Sequence, residues 1–202
     1  MSEAEARDEE LLARAARGET HAFDVLAGRH ATPLYRFAVR MCLDPQRAQD
    51  AVQEALLAAW RQASSYRAES AVRTWLFSVL LNACRHLRRT HKGEPAAPLS
   101  LEAAAQAEAQ GPSPEVQAGG AELGRAMDAA LATLPLAERE VVLLRDVEGM
   151  PGDEVAALLG LSLAAMKSRL HRGRLGLKAA VEQRLGQSVV QALELDVRRP
   201  HG

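Results

Sequence analysis

The sequence predicts an all-α fold of two small helical domains joined by a flexible linker, and three observations carry that prediction. Alanine dominates, with 39 of 202 residues, and isoleucine is absent. Aromatic residues make up only 3% of the chain, whereas strands draw on β-branched and aromatic side chains and helices favour alanine. Residues 93–119 hold four of the nine prolines (Pro95, Pro98, Pro112, Pro114), no lysine or arginine and a net charge of −4, which is linker composition. Residues 1–92 are expected to form a first domain, 93–119 the linker, 120–185 a second domain and 186–202 a C-terminal tail. Hydrophobic residues at 48% suffice to bury a core in each domain.

Four helices are predicted in the first domain. Asp8 caps the first, with Leu11, Leu12 and Ala15 on one side. The second spans Glu19 to Met41, and Pro33 should kink or break it. Asp44-Pro45 is a start signal, an N-cap followed by proline at the first helical position, for a third helix to about Gln62. Ser70 caps a fourth that runs to about Thr90. In the second domain, helices are predicted over about Ala121–Thr133, Leu136–Val147 and Pro151–Leu159. Gly160-Leu161 then turns the chain and Ser162 caps a last helix. Two helices joined by a tight glycine turn form the helix-turn-helix pattern. In the linker, Ala103–Gln110 can form a short helix without an apolar face; in the tail, a short helix can run through Val189, Val190 and Leu193.

Several function classes are excluded early. Net charge is −1, so the whole chain is not a polyelectrolyte binder. The first domain is nevertheless net +3 and the segment 120–202 is net 0. The two cysteines, Cys42 and Cys84, sit in apolar helical patterns with no CxxC or Cys/His cluster, so no metal site is predicted, and the thiols read as buried and structural. No Gly-rich phosphate loop and no Ser/His/Asp set appears, so no catalytic residue and no cofactor is predicted. The start, MSEAEARDEE, lacks the apolar run of a signal peptide, and no stretch approaches the ~20 apolar residues of a membrane span. A cytoplasmic protein without a membrane segment of its own is expected.

Three surfaces remain as candidate sites. On the last helix, Leu163, Met166, Leu170 and Leu177 share one narrow arc predicted to face the core. Opposite lie Ala164, Ala165, Ser168, His171 and Arg172, flanked by Lys167 and Arg169. Gly160 to Lys178 carries five basic residues and no acid. Small residues permit close approach to a DNA major groove, arginine pairs bidentately with guanine, and flanking cations meet phosphates. Gly173 and Gly176 should fray this helix, and Leu175 falls unexplained on its polar side. On the fourth helix, apolar residues cover most of the wheel and leave one polar stripe: Thr74, Ser78, Asn82, Arg85, Arg89 and Lys92. The preceding polar loop carries Ser65, Tyr66 and Arg67. An aromatic ring and an arginine beside a cationic stripe suit an unstacked nucleotide, although taken alone Tyr66 is more often a packing residue. On the third helix, the buried arc is Val52, Ala55, Leu56 and Ala59. The opposite face carries Asp50, Gln53, Glu54 and Arg61 with Leu57 among them, either a protein-docking anchor or a lone exposed leucine.

Residues 48–89, AQDAVQEALLAAWRQASSYRAESAVRTWLFSVLLNACRHLRR, and 131–178, LATLPLAEREVVLLRDVEGMPGDEVAALLGLSLAAMKSRLHRGRLGLK, resemble regions 2 and 4 of the extracytoplasmic-function (ECF) group of bacterial RNA polymerase sigma factors. The resemblance implies that Asp50, Gln53, Glu54 and Leu57 dock on the β′ coiled coil of core polymerase. It implies that the loop Ser64–Glu69 captures a flipped base of the −10 element, and that Asn82, Arg85, Arg88 and Arg89 contact that element; the helical wheel puts Arg88 off the polar stripe. It further implies that Lys167, Ser168, Arg169 and Arg172 read a −35 duplex, that region 4 meets the polymerase β flap, and that an anti-sigma factor hides both domains and can hold the chain at the membrane, within a stress response. The chain departs from the family pattern at Gln46-Arg47-Ala48-Gln49, at Pro151-Gly152-Asp153 and at Ala164-Ala165-Met166. These changes bear on which promoter is read more than on the class.

The linker length fits two promoter elements. Twenty-seven flexible residues span roughly 30 Å on average and at most about 90 Å, which is roughly 9–26 base pairs at ~3.4 Å each. Tethering then adds affinity by effective concentration. The alternatives are a conventional helix-turn-helix regulator that binds duplex DNA without polymerase, and an adaptor that binds polymerase but not DNA. The first leaves the basic fourth helix without a purpose, and the second leaves the basic last helix without one.

Overall fold

The computed structural model describes residues 6–90 and 114–185. All regular structure among the described residues is helical. The chain divides into two compact units, and the division falls within residues 91–113. Lys92, the 103–110 segment and the tail lie outside the described residues.

The first unit comprises α1 (Asp8–Ala16), α2 (Thr20–Cys42), α3 (Pro45–Gln62), a 3-10 turn (Ala63–Ser65) and α4 (Val72–Thr90). Arg7, not Asp8, is the N-cap of α1. Asp8 is instead drawn to α2, where its carboxylate accepts from Arg29 at 2.9 Å and meets the His30 ring at 2.6 Å. A long-range pair with two partners outcompetes the local cap. Pro33 does not break α2, which continues through it as one helix. An interior proline costs about 3 kcal/mol, but Leu26, Leu34, Phe37 and Met41 are all buried on this helix, and each is worth about 1.5–3 kcal/mol. The packed face outweighs the lost hydrogen bond. Asp44 caps α3 as its sequence predicts, accepting from the Arg47 amide at 3.0 Å. The buried stripe of α3 is Ala48, Ala51, Ala55 and Ala59; Val52 and Leu56, expected in that arc, are only half-buried. Methyl-sized side chains let α3 lie close against α2 and α4. Helix α4 begins at Val72, so Ser70 is not its cap; the Ser70 carbonyl accepts the Tyr66 hydroxyl at 2.5 Å. Phe37 of α2 meets Phe77 of α4 edge-on, centroids 5.2 Å apart, at the centre of the core.

The second unit comprises α5 (Pro114–Thr133), α6 (Leu136–Val142), a π turn (Leu143–Val147), α7 (Gly152–Leu159) and α8 (Leu163–Leu185). Helix α5 starts seven residues before the expected Ala121, with Pro114 at its first position, where a missing N–H costs nothing. Its carboxyl end is closed by the buried Arg139 of α6, which donates to the carbonyls of Leu131 (3.0 Å), Ala132 (2.8 Å) and Leu134 (3.0 Å). These are the acceptors a helix end leaves unpaired, and a cation suits that end of the dipole. Helix α7 ends in a Schellman turn. Leu161 N–H donates to Ala156 (2.8 Å), Gly160 N–H to Ala157 (3.1 Å), and Gly160 takes φ +66°. Ser162 caps α8 through the Ala165 amide at 3.1 Å.

Helix α8 runs unbroken through Gly173 and Gly176, against the expected fraying. A Cβ at Gly173 would lie 2.6 Å from Val142 Cγ2 and 3.3 Å from the Glu138 carbonyl oxygen, and one at Gly176 would lie 2.8 Å from Leu134 Cδ2. The glycines are where α8 presses onto α6 and the end of α5, so tertiary packing overrides propensity. Met166 and Leu170 are buried as predicted, but Leu163, at the start of the arc, is 44% exposed. Farther along, Val181 packs against Ala130 of α5.

Candidate functional site

The exposed face of α3 matches its sequence. Asp50, Gln53, Glu54 and Arg61 are all exposed, and Gln46 donates to Asp50 at 3.3 Å. Leu57 is 55% exposed, and it is not an isolated leucine. With Gln53, Leu56 and Trp60 of α3 and Thr20, Phe23 and Asp24 of α2 it lines an apolar groove of about 470 Å³. Phe23 and Trp60 of this lining stand edge-on, centroids 5.2 Å apart. Thr20, Phe23 and Asp24 were missed as site residues because they lie on another helix. The only signal was their place on the first turn of α2.

The loop before α4 is pinned by its own side chains. Ser65 Oγ donates to the Gln62 carbonyl at 2.8 Å. Tyr66 is half-buried, its ring 5.4 Å from that of Trp75 and its hydroxyl on the Ser70 carbonyl. Burial, aided by the Glu9 carboxylate, raises the Tyr66 phenol above the usual tyrosine value. Tyr66 is therefore a packing residue of this loop, while Arg67 is exposed. Ala68 takes a left-handed φ of +55°, rare for a residue with a Cβ.

The stripe on α4 is shorter than predicted. Thr74 is buried, and the half-buried Ser78 donates to the Trp75 carbonyl of its own helix at 2.6 Å. Asn82, Arg88 and Arg89 are exposed and Arg85 is half-buried. Arg88 thus shares the cationic end of α4 although the wheel put it off the stripe; in the last turn Arg88, Arg89 and Thr90 are all exposed and only Leu87 is half-buried.

On α8, Lys167, Ser168, His171 and Arg172 are exposed, and Ala165 and Arg169 are half-buried. Two cations are held by acids on α6 and the π turn that follows it. Arg172 donates to Glu138 at 3.1 Å and to Ser168 at 3.0 Å. Arg174 grips Asp146 with two bonds, 2.8 and 2.6 Å, which hold its guanidinium protonated even more firmly than usual. Lys167 and Arg169 make no such pair among the described residues. The two departures in this motif also touch: a Cβ at Gly152 would lie 2.9 Å from Met166 Cε. The longer methionine fills space that a side chain at 152 would occupy. Among the described residues no group of His, Cys, Asp and Glu could hold a metal, and no helix is long and apolar enough to cross a membrane.

Comparison with known proteins matches residues 26–94 to the family described as Sigma-70 region 2 and residues 124–177 to Sigma-70, region 4. The ECF RNA polymerase sigma factor SigM of Mycobacterium tuberculosis is 36% identical over 171 residues, covering 84% of this chain and 82% of SigM. Among solved structures, CnrH in complex with the cytosolic domain of CnrY is similar at 28% identity and a TM-score of 0.62, covering 88% of this chain and 98% of CnrH. RpoE, in complex with the anti-sigma factor NepR from Bartonella quintana, shares the fold at 24% identity and a TM-score of 0.55, covering 75% of this chain and 91% of that one.

Proposed function

The chain belongs to the extracytoplasmic-function group of RNA polymerase sigma factors, and on that premise we propose how its faces divide the work of starting a transcript. The acidic and amide face of α3, Asp50, Gln53 and Glu54, takes the β′ coiled coil of core polymerase. Leu57 and the groove beside it receive an apolar side chain of that helix pair. The Ser65–Arg67 loop and the Asn82, Arg85, Arg88 and Arg89 end of α4 hold the unpaired −10 strand. Helix α8 enters the −35 major groove with Ala165, Ser168 and His171 at the contact, and Lys167, Arg169 and Arg172 on bases and phosphates, while its unit meets the β flap. The chain supplies binding and orientation, and the polymerase performs the nucleotidyl chemistry. An anti-sigma factor that covers these faces and holds the chain at the cytoplasmic side of a membrane is the expected regulator.

One observation carries this division over a conventional duplex-binding regulator. Besides the helix-turn-helix that its sequence pattern predicts, the chain presents a second acid-free basic helix end, on α4, in a unit whose sequence shows no such pattern among the described residues. Run-off transcription tests it, with purified chain, core polymerase and the promoter of its own gene cluster. Correctly started transcripts are expected, and they should be lost with Arg89→Glu and with Lys167→Glu, both exposed and so without cost to folding. Tight duplex binding by the chain alone, with no transcript, would overturn the division in favour of the regulator.

A further inference from the structure

Cys42 and Cys84 are 42 residues apart in sequence, and both are free thiols. The structure brings them together. Helices α2 and α4 run in the same direction along their seam: Phe37 meets Phe77, and five residues on in α2 and seven on in α4 the Cys42 and Cys84 thiols are in hydrogen-bonding contact. Their environments differ in a useful way. Cys84 is buried, whereas Cys42, on the last turn of α2, is only partly so and lies near the Arg47 guanidinium. We propose that this pair is a modification site: a dithiol whose ligand is a peroxide and whose product is an intramolecular disulfide bracing α2 against α4.

The roles follow from position. Contact with Cys84 lowers the Cys42 thiol below its ordinary value and Arg47 adds to this, while burial and the Asp44 carboxylate oppose it. Cys42 is the sulfur that a peroxide can reach, since Cys84 is buried, and it attacks as its thiolate. Its sulfur attacks one oxygen of hydrogen peroxide, the O–O bond breaks, and the leaving hydroxide takes up a proton as water. Cys42 is then a sulfenic acid. The Cys84 sulfur attacks the Cys42 sulfur, the S–O bond breaks, and the hydroxyl leaves with the Cys84 proton as a second water. Two thiols and one peroxide yield one disulfide and two waters. The crosslink joins the corner that leads into α3 to the helix bearing Asn82 and Arg85.

This inference is independent of the promoter reading, because it is tested on the chain alone. The reduced full-length protein is treated with hydrogen peroxide, digested with trypsin without reductant and analysed by mass. Residues 41–47 and 74–85 should appear as one crosslinked species, two hydrogens lighter than their sum, restored by a thiol reductant. The native chain should form it at least about ten times faster than the chain in guanidinium, where proximity is lost. Cys84→Ser should accumulate dimedone-reactive sulfenic acid at Cys42, and Cys42→Ser should not. The oxidised protein should melt about 10 °C higher, since the bridge closes a long loop. Native thiols that survive while the unfolded chain oxidises would overturn the site. So would a product confined to intermolecular dimers, and an unchanged melting temperature would overturn the brace. Because the wild-type crosslink and its rate carry the site, failure of either serine variant to fold does not remove the test.

Discussion

Helices α4 and α8 are both basic and both proposed to touch DNA, yet they are built in opposite ways. Helix α4 is held by bulk, with Leu76, Phe77, Leu80 and Leu81 all buried on it. Helix α8 buries Met166, Leu170 and Val181, but midway along it is seated by the absence of bulk, since Gly173 and Gly176 leave no room for a methyl group. The chain enters α4 through a loop fixed by a tyrosine side chain, but it enters α8 through a backbone turn that needs Gly160. Their cations differ as well. Helix α8 has Arg172 and Arg174 tied to Glu138 and Asp146, whereas the end of α4 keeps Arg88 and Arg89 exposed. The contrast suits two kinds of DNA. A helix that must seat in a groove gains from having some cations fixed in place, so that the reading face is small and defined. A helix that holds a flexible single strand needs a broad cationic surface and little else.

The contrast in packing breaks most visibly under substitutions of opposite sign. Phe77→Ala removes a fully buried ring and should destabilise the first unit by about 3–5 kcal/mol. Gly173→Ala adds one methyl against the stiff Val142 side chain and a backbone carbonyl, and should destabilise the second unit by about 1–3 kcal/mol. Gly28→Ala is the control. Nothing lies within 4 Å of the new methyl in α2, so it should stabilise by about 0.5–1 kcal/mol. Chemical denaturation of each variant, followed by circular dichroism, reads all three. A neutral Gly173→Ala would mean that α8 is not seated by close approach.

The difference in charge is sharpened by salt titration on a −35 duplex. Lys167→Ala should weaken binding about fivefold, near 1 kcal/mol, and lower the salt slope by about one. Arg174→Ala should change neither, because its guanidinium is already engaged bidentately by Asp146. Equal losses from the two variants would show that Asp146 releases Arg174 to DNA and would remove the distinction between fixed and free cations.

Much of this was legible along single helices. The Asp44 cap, the Gly160 turn, the Ser162 cap and the exposed face of α3 are all local or follow one helix period, and each is where the pattern puts it. What escaped is what depends on a second element. Thr74 reads as wet on a wheel but is buried. Asp8 reads as a cap but is claimed by residues more than twenty positions away. Glu138 and Asp146 neutralise arginines 34 and 28 residues downstream, and the groove beside Leu57 needs α2. Gly173 and Gly176 mislead in the same way. Propensity sees two helix breakers, and only the neighbouring helices explain them.

The smallest expected effects lie in the entry to α4. Ala68 holds a left-handed φ of +55° in the loop before α4, a conformation that costs a non-glycine residue roughly 1–2 kcal/mol. Ala68→Gly should therefore stabilise the first unit, by less than that strain because glycine also frees the unfolded chain. Tyr66 offers a pH test of the same loop. Its phenol is raised above the usual value near 10, first by burial and then by Glu9. A raised native value means that the stabilisation is complete below the unfolded value and is lost as pH rises through the native one. In a Tyr35→Phe background, which leaves Tyr66 as the only tyrosine, tyrosinate absorbance should appear later in the folded chain than in guanidinium. Stability should fall with pH in that alkaline window, and Tyr66→Phe should flatten the slope. Identical titrations in the folded and unfolded chains would mean that Tyr66 is not buried in this loop beside Glu9, and the entry to α4 would lose its side-chain anchor.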